Sequence, residues 1–226
     1  MPTDIQVQVL HFGQSILKFN TPKNILSKIN SIYEKRIEEF TPWNKHLAGK
    51  IKKEHSLFNN TARNEGKDNH NFLDKELLQF FSDCTNHYLS YNKVVVHQLK
   101  LTTVWINEMV EHEYNPVHVH AGDLLTGLSS VMILKLPESF GKEVSREDDP
   151  SNGRLQFLGN GTGQFANVNV RPELVEGDFY MFPYDVGHCV YPFTGKGIRR
   201  TLSANIDIYY NAIDTAVKAR KPKDFK

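Results

Sequence analysis

The spacing of apolar residues changes character near residue 93. Before it, two stretches carry a helical period. Ile25, Ile29, Ile32, Tyr33 and Ile37 share one face of a helix predicted from about Thr21 to Phe40, with Thr21 as N-cap and Pro22 in the first turn. Phe72, Leu77, Phe80, Phe81, Cys84, Tyr88 and Leu89 form the apolar stripe of a second helix, from about Asn71 to Tyr91. Ahead of both, Ile5, Val7 and Val9 alternate with Gln6 and Gln8, which predicts a strand to about Phe12 with Ser15–Phe19 as its hairpin partner. The polar stretch between the helices, which holds His46 to Ile51, reads as loop. After residue 93 the period is two. Strands are expected at Val94–Asn107, Leu125–Leu136, Arg154–Leu158, Gln164–Val170, Asp178–Phe182, Cys189–Phe193 and Arg199–Tyr209, with Gly and Pro at their ends. Many short strands after two helices predict a mainly β fold with flanking helices, a β-sandwich or jelly roll.

At 226 residues the chain can bury a sizeable core. One domain is expected, with helical and strand support over 1–92, the β core over 93–210 and a tail over 211–226. A net charge of +1 gives no electrostatic case for nucleic acid. No apolar run approaches the length of a membrane span, and the first residues carry neither the basic nor the apolar region of a secretory signal. A cytoplasmic location is therefore expected. Cys84 and Cys189 are the only cysteines and form no CxxC, which argues against a disulfide framework. Cys189 reads as a small buried hydrophobe rather than a reactive thiol. The basic tail from Lys218 reads as a solvated, frayed end. The long charged loop from Pro137 to Gly153 is open to two readings, a mobile surface loop or a lid.

The candidate chemistry lies in two stretches. Asn115-Pro116-Val117-His118-Val119-His120-Ala121-Gly122-Asp123 places two imidazoles two residues apart, on one side of an extended segment. Gly177-Asp178, an apolar strand, Pro183 and then His188 supply a third. His118, His120 and His188 are the expected ligands of one metal ion.

With those residues in view, the sequence resembles a known family. Asn115-x-x-His118-x-His120-x-Gly122, then Gly177-Asp178-x3-Phe182-Pro183-x4-His188-x-Val190-x-Pro192, then Gly197-x-Arg199-x-Thr201-Leu202-Ser203-x-Asn205 is similar to the Fe(II)- and 2-oxoglutarate-dependent oxygenases. The nearest resemblance is to a prolyl-hydroxylase-like group common in bacteria and phages, where a phage-encoded chain would work in the host cytoplasm. It covers roughly residues 100 to 210, and Leu47-Ala48-Gly49-x-Ile51 looks similar too.

The resemblance implies a double-stranded β-helix, which is a jelly roll. It also implies Fe(II) as cofactor, 2-oxoglutarate as co-substrate, and hydroxylation of a C–H bond of a prolyl, other peptidyl or small-molecule substrate. Arg199 and Thr201 would bind the distal carboxylate of 2-oxoglutarate, with Arg200 on the opposite strand face in another role. Asn107 would lie on a neighbouring strand and bond the co-substrate. The family's usual second ligand is a carboxylate, and His120 stands in its place, so a three-histidine site is expected, with Asp123 held as the substitute that would supply a carboxylate if His120 were the first ligand. Two other readings keep part of this picture: a cupin metalloenzyme that does not use 2-oxoglutarate, and a non-catalytic jelly-roll binding module. The sequence fixes no oligomeric state.

Overall fold

The computed structural model describes residues 13–44, 48–59, 72–143, 145–159, 161 and 168–210. Eleven strands and two helices are assigned within them. One sheet has seven strands in the order β1 (Leu17–Asn20), β9 (Asp178–Pro183), β6 (Gly127–Lys135), β11 (Arg199–Tyr210), β4 (Val96–Met109), β3 (Lys53–Asn59) and β2 (Thr41–Pro42). The other has four, in the order β5 (Asn115–His118), β10 (Gly187–Val190), β7 (Leu155–Leu158) and β8 (Asn169–Val170). All pairings are antiparallel. This is the jelly roll that the strand pattern predicts, in the double-stranded β-helix form that the resemblance implies.

Strand alternation explains how the large sheet serves two cores. Leu128, Met132 and Leu134 of β6, Phe179 and Met181 of β9, and Leu202, Ala204 and Ile206 of β11 face the helices α1 (Lys23–Arg36) and α2 (Lys75–Tyr91). Their neighbours one residue along face the small sheet. Val131, Ile133, Tyr180 and Phe182 pack there with Leu155, Phe157 and Val190. Because both faces are covered, these central strands read as nearly continuous apolar runs. On β11 the face turned toward the small sheet is different. Arg199, Thr201, Ser203 and Asn205 all point that way, and all are buried.

Several expectations are corrected here. Helix α1 begins one residue late: Pro22, with φ −55° and ψ 140°, occupies the N-cap position and Lys23 is the first helical residue. A proline N-cap has no side-chain acceptor, and the Thr21 hydroxyl finds no partner. The helix stops at Arg36 and a 3₁₀ turn completes the segment. Helix α2 starts at Lys75, capped by Asp74, whose carboxylate accepts from Leu77 N–H at 3.1 Å. Strand β1 pairs with β9, and its predicted partner Ile5–Phe12 lies outside the described residues. So do the tail from residue 211 and most of Gln164–Val170. The polar segment read as loop contains β2 and β3, which extend the large sheet. Cys84 and Cys189 are free and buried, and burial pushes the Cys84 thiol up to about 12. No described helix is long and apolar enough to cross a membrane.

Candidate active site

The two sheets enclose a cavity of about 320 Å³ between them, and the three candidate histidines line it. His118 ends β5, and His188 sits directly opposite it on β10. His120 lies two residues beyond β5, where its backbone N–H donates to Tyr184 O at 2.9 Å. The ring centroids are 4.3 Å apart for His118 and His188, and 5.0 Å for each of the pairs with His120. One nitrogen from each ring lies within 4.8 Å of the others.

The protonation of these rings follows from their partners. His118 Nδ1 is 2.7 Å from Pro116 O, and His188 Nδ1 is 3.1 Å from Val186 O. A carbonyl only accepts, so each Nδ1 carries the hydrogen and each Nε2 is left with its lone pair. His188 Nε2 is 3.2 Å from His120 Nε2. Burial lowers the pKa of all three. His118 shifts down by burial alone, His120 well down by burial and then by its two neighbours, and His188 to about 3 by burial and then by His118. The cluster is neutral at physiological pH, which is the form that ligates metal.

The loop that carries His120 is tied down from β11. Asp207 is fully buried and accepts from Asp123 N–H at 3.0 Å, Leu124 N–H at 3.1 Å and Tyr184 O–H at 3.0 Å. Gly122 permits this approach, because a Cβ there would overlap the Asp207 carboxylate. Asp123 itself pairs with Lys100 and is absent from the histidine cluster and the cavity wall. It is therefore not placed to substitute for His120.

Arg199 and Arg200 occupy opposite faces of β11, as alternation requires. Arg200 is fully engaged: Nε donates to Glu108 at 2.8 Å, Nη1 to Glu34 and Asn30 at 2.8 Å each, and the guanidinium lies 4.9 Å over the Tyr33 ring. Arg199 is 1% exposed and meets no carboxylate among the described residues. Its Nε donates to Gly153 O at 3.1 Å and Nη1 meets Met109 Sδ at 3.8 Å, while Nη2 is bonded to nothing. Burial lowers its pKa to about 10, so it stays charged. Thr201 is buried beside it on the same face, and Asn107 is Thr201's cross-strand partner on β4.

The 137–153 loop is held by its own hydrogen bonds. None of its described residues lines the cavity. Glu143 caps it from within, accepting from the backbone N–H groups of Ser145, Ser151 and Asn152 at 2.9 Å each. Burial opposes its ionisation, but those donors hold its pKa at about 2. The loop ends at Gly153, whose φ of +63° and closeness to the Phe140 ring both require glycine, and whose carbonyl steadies Arg199.

Sequence reasoning missed part of the wall. Trp43, Glu54, Thr103, Trp105, Asn115 and Ser203 also line the cavity. Buried polar atoms without a partner gather there: Glu54 Oε2, Thr103 Oγ1, Trp105 Nε1, Asn107 Oδ1, Asn115 Oδ1, Arg199 Nη2 and Asn205 Oδ1. For Thr103, Trp105 and Ser203 the available signal was alternation, since they share strand faces with Asn107 and Arg199.

The β-helix thus gathers three neutral imidazoles and a buried guanidinium in one cavity, a donor set suited to a metal ion beside an anionic group. Residues 103–205 match the sequence model of a family described as "Putative 2OG-Fe(II) oxygenase". The match spans the β core that carries the three histidines and Arg199, and over it the chain is similar to oxygenases that use Fe(II) and 2-oxoglutarate.

Solved structures share the fold. A Pseudomonas putida prolyl-4-hydroxylase superposes with a TM-score of 0.52 at 14% identity, over 88% of this chain and 94% of that one. A Trichoplax adhaerens prolyl hydroxylase in complex with a hypoxia-inducible-factor peptide gives 0.50 at 10% identity, over 89% and 86%. HygX from Streptomyces hygroscopicus, with nickel, 2-oxoglutarate and hygromycin B bound, gives 0.52 at 11% identity, over 86% and 83%. No curated protein matches the sequence. The donor set fits both groups: three convergent nitrogens suit a first-row metal, and an unpaired guanidinium with neighbouring hydroxyls suits a dicarboxylate.

Proposed function

We propose that His118, His120 and His188 hold Fe(II) and that Arg199, with Thr201 and Asn107 beside it, takes the distal carboxylate of 2-oxoglutarate. The protein would then hydroxylate a C–H bond of a peptidyl or small-molecule substrate. Residues 1–92 would support a single domain whose metal and co-substrate ligands reside in 93–210, and would complete the cavity wall through Trp43, Ile51 and Glu54.

Arg199 carries this reading. A buried cation without a counter-charge is costly, and this one shares a cavity with three neutral imidazoles. A carboxylate on Nη2 offsets that cost with a charge-assisted hydrogen bond, and Thr201 adds a hydroxyl donor from the same face. A cupin enzyme that does not use 2-oxoglutarate, or a non-catalytic module, has no use for such a guanidinium.

Bound in this site, Fe(II) with 2-oxoglutarate and O₂ supplies the oxidising power for C–H hydroxylation, releasing succinate and CO₂. The chain's own residues supply placement. Pro116 O and Val186 O keep the hydrogens of His118 and His188 on Nδ1, so that Nε2 remains a ligand atom. Asp207 fixes the loop that presents His120. Ile51, Val131, Leu155 and Val190 form the apolar part of the cavity wall.

Anaerobic calorimetry tests the reading. The Mn(II)-loaded protein should bind 2-oxoglutarate at one site per chain, and the metal-free protein should bind it more weakly. Absence of 2-oxoglutarate binding to the metal-loaded protein would sink it.

A further inference from the structure

We infer that Glu54 recognises the substrate, and that the substrate presents a protonated amine or guanidinium to it. This rests on the proposed function, because the cavity is taken to be the substrate's site.

Glu54 lies on β3, opposite Asn107 of β4, which lies opposite Thr201 of β11. Cross-strand partners share a face, so the three form one row along the cavity wall. Two strand spacings of about 4.8 Å separate Glu54 from the Thr201 end, roughly 10 Å in all. The wall therefore has a cationic end at Arg199 and an acidic one at Glu54, too far apart to pair with each other. Glu54 is 1% exposed, and its Oε2 has no partner. Its backbone carbonyl accepts from Trp43 N–H at 2.8 Å, which brings Trp43 to the same part of the wall.

The co-substrate cannot satisfy Glu54. 2-Oxoglutarate offers only acceptor oxygens, and a carboxylate beside Glu54 would repel it. The unpartnered atom beside Glu54 in the row, Asn107 Oδ1, also accepts, while the Trp105 indole N–H and the Thr103 hydroxyl, farther along the same face of β4, offer one donor each. What this end of the cavity lacks is a group with several donors. An ammonium carries three and a guanidinium five. The indoles of Trp43 and Trp105 line the same cavity, and an indole face is the best aromatic surface for a cation. Burial alone keeps the Glu54 carboxyl mostly protonated near neutral pH, and an arriving cation would favour its ionised form.

The probes are Nα-acetyl-lysine methylamide and Nα-acetyl-arginine methylamide, with the uncharged Nα-acetyl-norleucine methylamide as reference. Each is titrated calorimetrically into the full-length protein, both metal-free and loaded anaerobically with Mn(II) and 2-oxoglutarate. One cationic probe should bind at least about ten-fold more tightly than the reference, as a hydrogen-bonded charge warrants. In Glu54→Gln, shown to be folded by circular dichroism, the preference should fall to within about two-fold. In wild-type protein with ¹³C-labelled glutamate carboxyls, the Glu54 signal should move toward its ionised position when that probe is added. Glu54→Gln or Glu54→Asp assigns the signal, so the measurement stands even if one variant fails to fold. Equal binding of charged and uncharged probes, a preference that survives Glu54→Gln, or an unmoved Glu54 signal would each overturn the inference. Loss of 2-oxoglutarate binding alongside an intact, Glu54-dependent preference would overturn the oxygenase reading and leave this one standing.

Discussion

His118 and His188 are cross-strand partners. They belong to segments 70 residues apart, yet face each other across the β5–β10 pair with ring centroids 4.3 Å apart. This register makes one strand pair supply two of the three nitrogens, and Asp207 holds the loop that brings the third. Removing either strand's imidazole should therefore abolish the site. His188→Ala should weaken Mn(II) or Fe(II) binding by more than about 100-fold, since even the groups that orient metal ligands are worth 10- to 100-fold. Anaerobic metal titration checks this, and wild-type affinity in the variant would remove His188 from the ligand set.

The adjacent arginines should respond oppositely. Arg199→Ala should weaken 2-oxoglutarate binding by about 10- to 150-fold, the equivalent of about 1.5–3 kcal/mol for a hydrogen-bonded charge. Arg200→Ala should leave that affinity near wild type and instead destabilise the fold by about 3–5 kcal/mol, because buried Glu108 would keep only the largely exposed Lys53, 3.9 Å away, as a cation. Calorimetry with 2-oxoglutarate and urea denaturation, run on both variants, read the two effects separately. The same response from both would contradict the facing assigned to them.

A pH dependence follows from Glu54, whose pKa is raised by burial from 4.5 to about 8. Between those values the folded chain keeps a proton that the unfolded chain has lost. The contribution of Glu54 to stability is therefore greatest below about pH 4.5 and declines as pH rises toward about 8, by up to about 1.4 kcal/mol per unit. Glu54→Gln should remove that slope. The wild-type minus variant difference in unfolding free energy, measured on metal-free protein, should fall steadily across this range. A flat difference would show that Glu54 titrates normally.

Gly122→Ala should reach the site indirectly. The added methyl overlaps the Asp207 carboxylate, so the 120–124 loop must shift, at a cost of about 1–3 kcal/mol. Metal affinity should fall with stability, because His120 moves with that loop. A variant with wild-type metal affinity would show that the Asp207 tie does not position His120.

The sequence made some of these residues visible and hid others for physical reasons. Strands β4, β6, β9 and β11 were legible because burial on one or both faces imposes alternation or long apolar runs. The histidines and Arg199 were legible because their chemistry is rare inside such strands. Strand β3, Lys-Glu-His-Ser-Leu-Phe-Asn, was not. Its inward positions include Glu54 and Ser56, and a polar side chain turned into a cavity reads the same as one turned to water. The cap of α1 was misplaced because Thr21 satisfies the N-cap preference, while the extended ψ of Pro22 decides where the helix begins. The role of the 137–153 loop was hidden because its contact with Arg199 is a backbone carbonyl, which no side-chain pattern reports.

The last described strand is also the middle of the large sheet. β11 inserts between β6 and β4, so a ribosome-bound chain that has not yet released residue 199 holds two three-stranded fragments, each with an open edge toward the gap. Such edges invite pairing with other chains, and closing them waits on contacts between distant parts of the sequence, which slows folding. Assembly of this catalyst should accordingly be a late, all-at-once event. A frameshift or nick just ahead of Arg199 should yield aggregate rather than a weakened enzyme.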